Sequence, residues 1–232
     1  MYKVVNVENL SRLKLLVQDK IDLIKNKTVL ILGIGGVGSY TLESIVRSGI
    51  SKVIIVDGDT FEESNINRQL MATTKTVGLK KVDVYESRIK EINPNLEVIK
   101  INEFIDETNI DKIFDYDIDY AVDACDTVNT KYLFIKKCLD NNIKFISVMG
   151  MGNKLDPSKI EITELKKTEY DPLAKKLRNM LKDENRKIMV VSSKEEPIKN
   201  KENIISSNAF VPAVAGLFAS SYVINDIIKG DL

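Results

Sequence analysis

The chain has 232 residues, 44% of them hydrophobic and 29% charged, which is enough for one sizeable core in an ordinary globular protein. Its 34 Lys and Arg balance 34 Asp and Glu, so net charge points to no class of partner and any basic surface must be local. There is no histidine and there are two cysteines, Cys125 and Cys138, which excludes a Ser-His-Asp triad, a histidine base, a His-ligated metal and a zinc C-x-x-C pair, and fits a reducing compartment.

The opening residues lack the apolar core of a signal peptide, and the sequence carries no unpunctuated apolar run of the ~18 residues a membrane span needs. A cytoplasmic protein with no membrane partner is expected. Residues 8–26 set Leu10, Leu13, Leu15, Leu16, Ile21, Leu23 and Ile24 at helical spacing and predict one or two helices. The strand "KTVLILG" follows, then the glycine turn of Gly33, Gly35, Gly36 and Gly38, then the helix "SYTLESIVRSGI" and a second buried strand, "KVIIVDGD". This strand, turn, helix and strand span the ~30 residues of a Rossmann-type βαβ unit.

"GLKKVDVYESRIKEINPN" predicts a helix stopped at Asn93-Pro94. "LEVIKIN" and "DYAVDACD" read as strands, "TKYLFIKKCLDNN" as a helix and "KFISVMG" as a strand. Such alternation predicts an α/β fold, a Rossmann-like and mostly parallel sheet with helices on both faces. Beyond Gly152 come the strand "KIEITELKKT", a basic helix opened by Asp171-Pro172, the strand "KIMVVSS", a polar loop over 194–203 and a long apolar closing helix interrupted early by Pro212. Three parts are expected: an N-terminal helical segment (1–26), a nucleotide-binding core (27–150), and a C-terminal α/β extension (151–232) packed on that core.

The glycine turn alone suits NAD and ATP equally. Its glycines let backbone approach a phosphate, and Asp57, 19 residues past Gly38 at a strand end, can accept from ribose hydroxyls. The next residues favour ATP. "ESNINRQL" supplies Asn65, Arg68 and Gln69, and "GLKKVDV" supplies Lys80 and Lys81. A guanidinium and an ammonium suit a triphosphate and a departing pyrophosphate, whereas hydride transfer has no such need. Asp126, past the "AVDACD" strand, stands at the carboxyl edge where it can hold Mg²⁺ against phosphates.

"ILGIGGVGSYTLESIVRSGI", "VDGDTFEESNINRQ", "TVGLKKVDV" and "INPNLEV" resemble the adenylation domain of the ubiquitin-activating-enzyme-like, ThiF/MoeB-type superfamily, whose bacterial members include adenylators of molybdopterin and thiamine sulfur carriers. The resemblance implies that Gly33, Gly35, Gly36 and Gly38 line the phosphates and Asp57 holds the ribose. It implies that Asn65, Arg68, Gln69 and Lys81 face the nucleotide, and that Asp126 serves Mg²⁺. "LSRLKLL" resembles the N-terminal arginine segment of these proteins, which implies that Arg12 reaches into the second subunit of a homodimer.

"SVMGMGNKLDPSKIEITELKKTEYDPLAKKLRNMLK", "KIMVVSSKEEPI" and "SNAFVPAVAGLFASSYVINDII" resemble the tRNA threonylcarbamoyladenosine dehydratase branch of that superfamily. That branch implies tRNA as partner, with sulfur-relay proteins as further candidates. It implies ATP-driven ring closure on the threonylcarbamoyl group of an adenosine beside the anticodon. An intramolecular attack on an acyl-adenylate needs no enzyme thiol, which fits the missing C-x-x-C motifs. Adenylation of a small carrier protein's C-terminus is the competing expectation, followed by a non-catalytic nucleotide scaffold and an NAD enzyme. Residues 159–201 carry twelve Lys and Arg against eight Asp and Glu; Lys175, Lys176 and Arg178 share one helix that can meet RNA phosphates, while Tyr170 is the one aromatic among them, too little for a stacking platform.

Overall fold

The computed structural model describes residues 10–202 and 204–230. Seven strands form one sheet in the order β3-β2-β1-β4-β5-β7-β6. They are β1 (Thr28–Leu32), β2 (Lys52–Val56), β3 (Glu97–Ile101), β4 (Tyr120–Asp123), β5 (Lys144–Val148), β6 (Ile160–Glu164) and β7 (Met189–Ser193). All neighbours pair in parallel except β6, which runs antiparallel to β7 along one edge. The C-terminal extension therefore continues the same sheet.

The central strands are short apolar runs because both of their faces are covered. In β1, Val29 and Ile31 enter one core while Leu30 and Leu32 enter the other, and β2 divides Val53 and Ile55 from Ile54 and Val56 in the same way. The first face is packed by α3 (Gly38–Arg47), α4 (Lys81–Ile92) and α7 (Val211–Lys229). The second carries α5 (Val128–Asp140) and α6 (Pro172–Met180).

The predicted N-terminal helix is two helices, α1 (Ser11–Val17) and α2 (Ile21–Lys25), joined by a 3₁₀ turn; its first residues, 8 and 9, lie outside the described part. Leu15 and Leu16 are not core: each is 80% exposed. Pro212 does not interrupt α7. It stands in the first turn, where a missing N–H costs nothing. By length and hydropathy α7 could cross a membrane, yet half of its apolar window is buried within the fold. It is fastened to α3 by Thr41 Oγ1 donating to the Gly216 carbonyl (3.1 Å) and by Ser44 with Ser220 (2.6 Å).

Candidate active site

The chain runs β1, β2, β3 toward one edge, then crosses over to begin β4 on the other side of β1. This reversal opens a crevice at the carboxyl ends of β1 and β4, the ligand position of open α/β sheets. The glycine turn leaves β1 on one side of it, and residues 124–127 leave β4 on the other.

Two of the glycines are required by geometry. Gly33 has φ +82° and lies against the Ala124 and Cys125 backbone, and a Cβ on Gly38 would overlap the Gly33 carbonyl oxygen. The N-terminus of α3 has no side-chain cap; the Ser39 N–H donates to the Gly35 carbonyl at 3.0 Å, and the rest of the first turn can offer N–H groups to an anion. Gly36 sits under the Arg68 side chain and Pro212, and Gly35 faces the Gln69 amide. Gln69 is buried and its Oε1 has no hydrogen-bond partner among the described residues. A buried acceptor left unmade beside a glycine turn fits a bound polar ligand.

Asp57 directly follows β2, and its carboxylate binds the glycine turn through Oδ2, which accepts from the Ile34 N–H at 2.8 Å, while Oδ1 accepts from the Asp59 N–H at 2.9 Å. Burial pushes this carboxyl above the ordinary range, against the opposing pull of Lys81. Lys81 is the first residue of α4, preceded by an extended Lys80, so of the two lysines only Lys81 points into the site. Its ammonium lies 2.7 Å from Asp59 and 3.7 Å from Asp57. Asp59 is a partner that the sequence reading missed.

Asn65 is buried, and its side-chain oxygen accepts from the Glu62 N–H at 3.1 Å, so much of its hydrogen bonding shapes the 62–69 loop itself. Arg68 Nη1 donates to the Ser64 carbonyl and to Asn67 Oδ1, which holds the guanidinium at the crevice rim. Asp126 is exposed where the chain leaves β4. The acid three residues earlier is its opposite: Asp123 is fully buried, 3.0 Å from Lys131 Nζ and 2.5 Å from Ser147 Oγ. Cys125 donates its amide and thiol to Asp123 Oδ1 (3.2 and 3.1 Å), and burial, reinforced by Asp123, drives the thiol well above its usual range. Cys138 is core, as expected.

Arg12 is exposed on α1, whose flanking Leu10 lies against Gly49, past the end of α3 opposite the glycine turn. On α6 the three predicted cations part company. Lys175 and Lys176 are exposed, whereas Arg178 turns its guanidinium inward to the Thr168 carbonyl and hydroxyl. Asp171 caps α6 from the Leu173 and Ala174 N–H groups, as its place before Pro172 predicted. Unforeseen is its second role, as Oδ2 accepts from the Gly150 N–H at 2.8 Å beside buried Lys154. Burial lowers the Lys154 ammonium, opposed by Asp171 and Glu195.

Among the described residues no cluster of three acidic or cysteine side chains stands ready to hold a metal unaided. Asp126 fits the other mode of Mg²⁺ binding, in which one or two carboxylates share the ion with substrate phosphates.

Residues 7–229 match the ThiF family. The chain is 40% identical to a tRNA threonylcarbamoyladenosine dehydratase of Bacillus subtilis, the alignment covering 91% of each. It superimposes on the crystal structure of E. coli tRNA N6-threonylcarbamoyladenosine dehydratase, TcdA, in complex with ATP, with a TM-score of 0.90 at 30% identity, covering 95% of this chain and 94% of that one. A probable molybdopterin-synthase adenylyltransferase of Porphyra purpurea is 36% identical, over 51% of this chain.

Proposed function

Because this chain belongs to the ThiF family, we propose from that premise and from the crevice geometry that it is an ATP-dependent tRNA threonylcarbamoyladenosine dehydratase. The observation that carries the reading is the gathering of the glycine turn, Asp57, Arg68, Lys81 and Asp126 around one crevice. Similarity along nearly the whole chain to proteins named for that reaction supports it over carrier-protein adenylation, whose named relatives match about half of the chain.

The turn and the uncapped start of α3 receive the ATP phosphates, Asp57 takes the ribose hydroxyls, and Gln69 turns its unpartnered oxygen to the nucleotide. An oxygen of the threonyl carboxylate attacks the α-phosphorus, and the bond to pyrophosphate breaks. Arg68 and Lys81 neutralise charge growing on the phosphoryl oxygens, Lys81 exchanging Asp59 for phosphate. Asp126 would hold Mg²⁺, which supplies further neutralisation of the triphosphate. The acyl-adenylate is then attacked from within the same modification; the ring closes and AMP leaves. Proximity supplies the rate of that second step.

The same reading makes the protein a cytoplasmic homodimer. Arg12, Leu15 and Leu16 stand three and four residues apart on one exposed face of α1, which suits a helix covered by a second copy that receives Arg12. The test is isotopic. With heavy oxygen in the threonyl carboxylate, the label is expected in AMP after turnover; AMP without label would rule out carboxylate adenylation.

A further inference from the structure

A cavity of ≈370 Å³ lies at the same sheet edge as the crevice, between the start of α6 and the loop that follows β7. Tyr170, Pro172, Pro197, Ile198 and Ile204 form its apolar walls. We propose that this groove stacks an unpaired RNA base flanking the nucleoside that reacts, an inference that rests on the tRNA reading above.

The first observation is Tyr170 itself, a lone aromatic that cannot make a platform for several bases but that the fold sets in a groove wide enough for one. Its φ is +53°, a region that bulky residues seldom occupy. The strain is held in place by its neighbours: Thr168 is buried, and Asp171 is buried and tied to α6 and Gly150. Between these anchors the ring is left 56% exposed, in a groove that it partly walls. Strained residues of this kind concentrate where structure serves recognition. Ile198 and Ile204, which line the same groove, are 46% and 62% exposed. An aromatic ring that shares a groove with proline and isoleucine suits a flat apolar group.

The second observation is where the slot lies. Asn153, on its wall, accepts from the Ser206 N–H (2.7 Å) and hydroxyl (2.8 Å). Asn67 donates to the Ser207 carbonyl at 3.0 Å and accepts from Arg68. The consecutive residues Ser206 and Ser207 thus bond the groove wall on one side and the loop of the crevice arginine on the other, which places the groove next to the crevice.

The third is charge. Lys199 lines the groove, and Lys175 and Lys176 follow Pro172 on α6; none of the three is ion-paired among the described residues. One carboxylate, Glu196, faces the same space and can accept from a base amino group. Cations for the backbone around an aromatic face for a base are the recognition chemistry of single-stranded nucleic acid. An apolar protein segment would leave these lysines without a use.

The test is fluorescence anisotropy of a labelled anticodon stem-loop RNA, at fixed salt, with the full wild-type chain, Tyr170→Ala and Tyr170→Trp. Loss of one stacked base predicts affinity about tenfold weaker in Tyr170→Ala, recovery in Tyr170→Trp, and unchanged ATP binding in both. Wild-type RNA affinity in Tyr170→Ala overturns the proposal. So does a change in self-association without a change in RNA affinity, which would place a second copy in the groove. Dehydration is assayed on the same wild-type preparation. Dehydration with an unaffected Tyr170→Ala rejects the groove and keeps the activity; weakened binding without dehydration keeps the groove and rejects the activity.

Discussion

Lys131 Nζ lies 3.0 Å from Asp123 Oδ2, and neither side chain reaches solvent. Ser147 completes the carboxylate's shell on that side, and the Cys125 amide and thiol complete it on the other. The pair therefore holds the start of the segment that presents Asp126 to the crevice. Lys131→Met leaves an uncompensated buried carboxylate, a change that costs about 3–5 kcal/mol. Urea unfolding should show that loss; a variant within about 1 kcal/mol of wild type, the scale of an exposed ion pair, would contradict the role assigned to the pair.

Arg68 and Lys81, to which the proposed function gives one role in the chemistry, differ in what they do for the fold. Arg68 sits at the rim and, among the described residues, its side chain bonds only within its own loop, so Arg68→Ala should keep wild-type stability while adenylation falls by about 10²–10³, the effect of removing one preorganised donor. Lys81→Ala should lose as much activity and some stability too, because Asp57 and Asp59 then face each other without their cation. Pyrophosphate exchange together with thermal melting separates the two. Wild-type exchange in both variants would remove them from the site.

Cys125 neighbours Asp126, and its position alone invites a nucleophile. Its environment argues against one. The thiol is held far toward its neutral form by burial and by Asp123, and thiolate is the reactive species. Cys125→Ser keeps a donor to Asp123 and should turn over within about twofold of wild type, since the proposed path has no thioester. Loss of turnover with ATP binding intact would revive a covalent route.

Glu43 gives the fold a defined acid limb. Burial raises its carboxyl, but hydrogen bonds from Arg88 and Arg47 outweigh that and bring it below the ordinary value. A carboxyl lowered in the folded state stabilises fully above its unfolded value, ~4.3, and loses that contribution as pH falls through the folded one. Glu43→Gln should therefore cost about 1 kcal/mol at neutral pH, and the difference from wild type should shrink below ~4.3. A difference independent of pH in denaturant titrations would mean that the ion pairs are not its source.

The sheet and its crevice were legible because their signals are local. Gly33 and Gly38 are forced by a left-handed φ and a backbone contact, and the alternation in β1 and β2 declares two covered faces. What was not legible depended on partners distant in sequence. Asp123 and Asp126 look alike as acids near a strand end; the register that sets Asp123 beside Leu32 and Ser147 buries one and leaves the other free. Lys81 read as a free cation because Asp59, 22 residues earlier, showed no spacing that tied it to a helix start. Arg178 shared the helix of Lys175 and Lys176, and only the fold reveals the Thr168 carbonyl that draws it in. Leu15 and Leu16 had core spacing, which shows an apolar face without naming what covers it.

The most direct measurement is mass spectrometry of nucleosides from threonylcarbamoyl-modified tRNA incubated with the protein, ATP and Mg²⁺. The account predicts that the modified adenosine loses the mass of one water, only when ATP is present, with AMP and pyrophosphate formed in equal amounts. An unchanged nucleoside, alongside pyrophosphate exchange driven by a carrier-protein tail, would contradict it and assign the crevice to carrier adenylation.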